Sequence, residues 1–431
     1  MKWSSQDNLS NFGIEILPEK KIIPLGDASQ EYQVYKIPLE LLNYNLSNGR
    51  IFMEVNKLQK DEDIDLSALR ENNRIEFNNE IENLIWSSSE EKNKDTLEDI
   101  EKYTQLESGV VLDDGTVIDG NRRFTCLRRL KEKHPNDPRF AYFKAAILFL
   151  NEGKISKKDI KKYELKVQFG RDEKVDYKTI NFNMSIYENI KSGEFTIQEM
   201  AENVNRKTSD ISKIMATSEL VVEMLTHINQ ENQLHVAEEL NIYWPLEPLA
   251  AYLSGPQGRE LSDLEKDQQK QLYFDYILTL DISLPTQQLR EKLLNRILKN
   301  SNKDYKNEIL EKHNEVYGPS IYDKLLKTKS DPVVFIDKVK EYRKSEEGSS
   351  LKDYFESIAG RAGVENDIKK PLKVCERIIE NFKEINITPH LEASSKTADK
   401  ILSEVNRELK NIIIKAESLI KSITEKLESD E

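Results

Sequence analysis

The chain has 431 residues, of which 33% are charged and 38% hydrophobic, and its formal net charge is −13. That length predicts two to four domains, because single cores stop growing beyond about 250–300 residues. Fourteen Phe, seventeen Tyr and three Trp exclude wholesale disorder, and the acidic balance excludes a protein that coats nucleic acid with its whole surface.

Residues 1–30 read as a polar arm carrying isolated apolar stretches, Ile14-Glu15-Ile16-Leu17 and Lys20-Lys21-Ile22-Ile23-Pro24. Gln33 to Pro38 alternates in the strand manner, Pro38 to Leu42 opens a short helix, and Asn43 to Arg50 is turn chemistry. Residues 57–107 are acidic and helical in pattern, with a polar insertion, Ser87 to Asp95, between two helices. Gly109 to Leu112 and Thr116 to Ile118 read as a strand pair joined by an Asp113-Asp114-Gly115 hairpin turn. Asn121 to Lys133 reads as a helix with Phe124, Leu127 and Leu130 on one face. Tyr163 to Phe169 alternates again, which predicts a further strand.

From residue 184 onward the pattern is helical, with breaks at 254–258, 345–350 and 394–395. Tyr243 and Trp244 read as core aromatics. Lys396 to Leu427 carries one apolar stripe (Ile401, Val405, Leu409, Ile412, Ala416, Leu419, Ile423), which suits packing against its own chain or a dimerising coiled coil. The expected class is α+β and predominantly helical, with a small mixed α/β domain followed by all-α regions. The expected divisions are an arm 1–30, a first domain 31–170, and helical regions 171–253, 254–345 and 346–431. The longest apolar stretch, Ala145 to Leu150, is far short of the ~20 residues that span a bilayer. No apolar signal-peptide core opens the chain, and two distant cysteines make no disulfide framework, so the expectation is a cytoplasmic protein without a membrane partner. The five histidines show no metal-ligand spacing.

The chemistry concentrates at Val117-Ile118-Asp119-Gly120-Asn121-Arg122-Arg123. A strand ends, one glycine turns the backbone, and a helix starts with two arginines in its first turn. Helix starts present N–H groups and partial positive charge to anions, and arginine adds a bidentate fork for phosphate. Asp119 either caps the helix or holds Mg²⁺ beside the phosphates.

Gly109 to Leu130 (GVVLDDGTVIDGNRRFTCLRRL) resembles the phosphate-binding box of the ParB/sulfiredoxin superfamily, and Tyr35 to Arg50 resembles that domain's opening strand, short helix and loop. The resemblance covers about 31–170, interrupted by the acidic insertion. It implies a nucleotide-binding domain for CTP or ATP with Mg²⁺. In that reading Gly120, Asn121, Arg122 and Arg123 contact phosphates, Arg50 is a secondary contact, and Asp119 is the metal-holding and catalytic carboxylate. The chain departs from sulfiredoxin, whose nucleophilic Cys position is held by Asn121, and from ParB, whose Glu is also replaced by Asn121 and whose following basic position is Thr125. These departures weigh against sulfinic-acid reduction and separate phosphate binding from CTP hydrolysis. Cys126 falls on the packed side of the helix.

Thr196 to Thr217 reads as two helices around a tight turn, either a helix-turn-helix or a plain αα-hairpin. Ala201 is small where the helices approach, Asn205 takes the left-handed turn position, Ile211 plugs the core, and Thr208 or Ser209 caps the second helix. A DNA-reading surface would comprise Arg206, Lys207, Thr208, Ser209, Ser212 and Lys213. In ParB proteins such a motif follows the phosphate-binding domain, and the resemblance extends through Leu225. Lys154 to Lys166 is the most basic run, suited to a nucleic-acid backbone or a solvated face. These lysines and the arginines of 122–129 stand apart in sequence from the acid of 57–107.

The expectation is therefore a ParB-like, DNA-binding protein whose N-terminal domain binds a nucleotide, with or without hydrolysis, to gate DNA or partner binding, and whose C-terminal helices provide either homodimerisation or a partner surface. A metal-dependent nuclease or NTPase effector of mobile-element or phage defence is the second reading, and a non-enzymatic adaptor the third.

Overall fold

The computed structural model describes residues 3, 6–25, 28–46, 48–61, 64–150, 155–169, 179–279, 290–299, 303–385 and 396–429. The class is α+β and predominantly helical: one five-stranded mixed sheet near the N-terminus is followed by helices, and no strand follows it among the described residues. By contacts the chain divides into two compact units, 1–360 and 361–431. The segments 31–170, 171–253 and 254–345 all fall within the first.

The strands are β1 (Glu15–Leu25), β2 (Ala28–Pro38), β3 (Gly109–Leu112), β4 (Val117–Asp119) and β5 (Tyr142–Leu148), in the order β1-β2-β5-β3-β4. β3 runs parallel to β5 and the other pairs are antiparallel. Strand residues alternate between two cores, as a pleat requires. Val111, Val117 and Ala145 face one apolar cluster, whereas their neighbours Val110, Ile118 and Ala146 face another.

The arm expected at 1–30 is built into the sheet. Glu15–Leu25 pairs with β2 on both sides of an irregularity between Ile16 and Lys20, and Trp3, Leu9 and Ile14 are buried in the first core. Its alternation is hard to read because Pro18 and Pro24 interrupt it and Ile16 and Ile22 point outward, which an edge strand tolerates.

Helices α1 (Phe52–Asp61), α2 (Leu66–Asn72), α3 (Arg74–Ser88) and α4 (Glu90–Tyr103) form the acidic insertion. The expected polar spacer at 87–95 reduces to Ser89 alone. Helix α5 (Asn121–Lys133) follows β4, and α6 (Lys157–Phe169) replaces the strand expected at 163–169. Extended back to Ile160, that segment repeats at three and four residues through Tyr163, Glu164 and Val167, and this face packs on the sheet.

Then come α7 (Thr179–Lys191), α8 (Ile197–Asn203), α9 (Thr208–His227), α10 (Leu234–Glu239), α11 (Tyr243–Ser254), α12 (Pro256–Arg259), α13 (Asp263–Thr279), α14 (Lys303–Lys312) and α15 (Pro332–Lys344). Helix α16 (Glu346–Glu384) begins in the first unit, and α17 (Lys396–Ser429) lies in the second. Tyr243 is buried in the helical core as expected, but Trp244 is 39% exposed and meets Tyr243 edge-on. No described helix is long and apolar enough to cross a membrane.

Candidate phosphate-binding site

The turn between β4 and α5 is set by local chemistry. Gly115 takes φ +83° in the preceding hairpin, and Gly120 takes φ +101° as the residue that opens α5. A Cβ on Gly120 would lie 2.9 Å from the Phe143 ring and 3.3 Å from Arg123 Nη2, so both backbone angle and space call for glycine. No side chain caps the helix. Asp119, read as a cap or metal ligand, ends β4 and turns to Arg123 instead.

Asp119, Gly120, Asn121, Arg122 and Arg123 line one cleft of about 280 Å³. Asn48, Thr96, Glu107, Ile118 and Val167 complete its wall. Asn121 is buried; its Nδ2 donates to Val117 O at 3.1 Å, while its Oδ1 has no donor among the described residues. Arg123 Nη1 donates to Glu107 O at 2.7 Å and lies 3.4 Å from Glu107 Oε2, and Nη2 is 3.3 Å from Asp119 Oδ1. On the other side, Asp119 Oδ2 has Lys21 Nζ at 3.6 Å. The Arg50 backbone lies in a short 3₁₀ turn, Gly49–Ile51, but its side chain lies outside the described residues.

The donor set does not suit Mg²⁺. Each Asp119 oxygen already faces a cation, which opposes a second, divalent one. Among the described residues no group of three or more His, Cys, Asp or Glu comes together to hold a metal. Asp119, expected as the metal-holding and catalytic carboxylate, faces Arg123 Nη2 at 3.3 Å and Lys21 Nζ at 3.6 Å.

Arg128 and Arg129 do not stand apart from the acid. Glu82 of the insertion, itself buried, lies 3.1 Å from Arg128 Nε and 3.0 Å from Arg129 Nε, and Arg129 stacks 3.8 Å over Trp86. Burial raises the Glu82 carboxyl above its ordinary range, against the lowering effect of the two arginines. Beneath the site Phe124 packs 4.7 Å from Tyr44, and Tyr44 hydrogen-bonds Thr125 at 2.8 Å. The long-range partners Lys21, Glu82 and Glu107 carried no local signal; Glu107, two residues before β3, was the nearest to one.

Cys126 is fully buried, and burial pushes its thiol up to about 12, so it is a packing residue and no nucleophile. Cys375 is exposed. A thiol reagent at pH 8 should therefore label one cysteine quickly and the second only on unfolding; two fast thiols would contradict the burial of Cys126.

The predicted two-helix motif forms α8 and α9. A capping box joins Thr196 and Glu199, Asn205 takes φ +52° in the turn, and Ala201 and Ile211 are buried. Neither Thr208 nor Ser209 caps α9: the N-cap position is Lys207, without a side-chain cap bond. Arg206, Lys207, Thr208, Ser209, Ser212 and Lys213 are all exposed, with Arg206 stacked 4.6 Å from Phe182 and Lys213 3.6 Å from Asp210. The basic run is partly matched, Lys158 to Glu199 at 2.6 Å and Lys161 to Glu164 at 3.5 Å. Glu164, buried, also accepts from Asn45 Nδ2 at 2.8 Å.

No family model matches the chain, and no curated protein matches it. Among solved structures it is similar to the C-terminally truncated chromosome-partitioning protein ParB from Caulobacter crescentus complexed with CTP-gamma-S, at 13% identity and a TM-score of 0.18, over 52% of this chain and 93% of that one. What this chain does must be read from its own geometry.

Proposed function

We propose that the chain binds the phosphate groups of a nucleoside triphosphate, CTP or ATP, at the Asp119–Arg123 turn, and that occupancy gates DNA contact through the start of α9. The observation that carries this is the opening of α5 by a left-handed Gly120 into a cleft lined by Arg122 and Arg123. Helix-start amides and guanidinium forks together favour an anion with several oxygens. The buried Asn121 Oδ1, lacking a donor, gives a ligand hydroxyl or amine a place to donate. Phosphate binding needs only these groups; hydrolysis or strand cleavage would need a metal-activated water, for which Asp119 is poorly placed.

The test is titration with CTP, ATP and GTP, followed by fluorescence anisotropy on duplex DNA with and without the nucleotide that binds. Binding of one triphosphate and a nucleotide-dependent change in DNA affinity are expected. Arg206→Glu with Lys213→Glu should abolish the DNA signal while nucleotide binding persists. If no triphosphate binds, the nucleotide reading fails.

We further propose that α17 pairs with a second copy of itself. Ile412, Leu419 and Ile423 of its stripe are 41%, 63% and 57% exposed, an unusual cost for side chains of that size. Ile412→Glu with Leu419→Glu is expected to halve the mass measured by light scattering; an unchanged mass would exclude this interface.

A further inference from the structure

The first unit contains a second cationic cleft, remote in sequence from the phosphate-binding turn. It holds about 360 Å³ and is lined by Lys340, Arg343, Lys344, Ser349, Lys352 and Asp353, with Thr279 at its edge. Three elements build it: the C-terminal half of α15, the opening turns of α16 and the end of α13. Arg343 fixes their junction, donating from Nε to Leu278 O at 3.0 Å and from Nη2 to Ile277 O at 3.4 Å.

Lys340, Lys344 and Lys352 make no hydrogen bond or ion pair to any described residue. What sets them apart is that they line one concavity together with Arg343. Lys270 of α13, by contrast, lies 2.8 Å from Glu223 and 3.1 Å from Asp267. Among the described residues lining this cleft, Asp353 is the only acid beside Lys340, Arg343, Lys344 and Lys352. Lys340 and Lys344 sit four residues apart on one helix, a spacing at which like charges repel. The helix dipole supports Lys344 at the end of α15, but it does nothing for Lys352 in the second turn of α16.

We propose that this cleft binds a compact oligophosphate, free pyrophosphate or the di- or triphosphate end of a small molecule. Three unmatched ammonium groups around one concavity suit a ligand with several negative charges and few atoms, and the Ser349 hydroxyl is a further donor. The volume falls in the range of small-ligand pockets, about 300–1,000 Å³. The site is separate from the Asp119–Arg123 turn and does not depend on it.

The experiment titrates sodium pyrophosphate into the full-length chain carrying Arg122→Ala and Arg123→Ala, so that the N-terminal phosphate contacts are absent. Saturable binding is expected. Adding Lys352→Gln should weaken it about two- to fivefold, as single exposed charge contacts do. Adding Lys340→Gln and Lys344→Gln as well should bring the loss to about tenfold or more if the three contacts sum. Circular dichroism and the melting midpoint should stay unchanged. Absence of saturable heat in the arginine variant, or unchanged affinity after the lysine substitutions, overturns the proposal. So does duplex DNA binding that depends on these lysines without any response to pyrophosphate.

Discussion

Replacing Arg122 and Arg123 together by alanine is expected to weaken triphosphate binding about a hundredfold or more, since each charged hydrogen bond contributes roughly 1.5–3 kcal/mol. Titration calorimetry with the nucleotide that the wild-type chain binds reads the change directly. Lysine at both positions should restore only part of the affinity, because an ammonium cannot reproduce the two-pronged contact of a guanidinium. The alanine variant also removes the Arg123 contacts to Glu107 and Asp119, leaving Lys21 as the cation beside Asp119. A circular dichroism spectrum with native helix content therefore accompanies the titration. Retained affinity in a folded double variant would sink the proposed site.

The second large effect lies in the helical core. Asp275 of α13 is almost completely buried and accepts from His227 Nε2 at 2.8 Å and His313 Nε2 at 2.7 Å. Asp275→Ala is expected to destabilise the first unit by about 3 kcal/mol, because it leaves the buried His313 and the partly buried His227 without their shared acceptor. Urea unfolding followed by tryptophan fluorescence measures this, and a loss below about 1 kcal/mol would mean that the cluster relaxes freely. Burial works to raise the Asp275 carboxyl, but the two histidine hydrogen bonds outweigh it and leave the group below its ordinary 3.8. A depressed folded value contributes stability that is fully present above pH 3.8 and is lost as the pH falls through the lower folded value. The Asp275→Ala variant should thus differ from the wild type at neutral pH and converge on it in strong acid.

What could be read in the sequence was local. The β3–β4 hairpin and the Gly120 turn were legible because Asp-Asp-Gly and Asp-Gly pairs specify backbone angles within four residues. The α8–α9 turn was legible for the same reason, through Asn205 and the small Ala201. Tyr163 to Phe169 misled because a short alternating run fits a strand, and only Ile160, three residues upstream, reveals the helical period. The partners of the candidate site were beyond reach. Glu82 meets Arg129 across 47 positions and Lys21 meets Asp119 across 98, separations that no periodicity encodes.

Those pairings also change what the net charge means. The acid of 57–107 is not a detached solvated block, since Glu82 and Glu107 are spent on the α5 arginines. An anion entering the Asp119 cleft must compete with Glu107 for Arg123, whereas Lys340, Lys344 and Lys352 are not ion-paired to any described carboxylate, although Asp353 shares their cleft.

Strand β1 has a consequence for how the molecule behaves in a crowded solution. A long border strand is a template on which another chain can lay down a strand of its own. Here Pro18 and Pro24 carry no N–H to offer an intruder, the register is interrupted between Ile16 and Lys20, and the exposed Lys20 would have to be covered. The border is therefore a poor seed for fibrils, and the sheet can leave it uncovered without inviting aggregation.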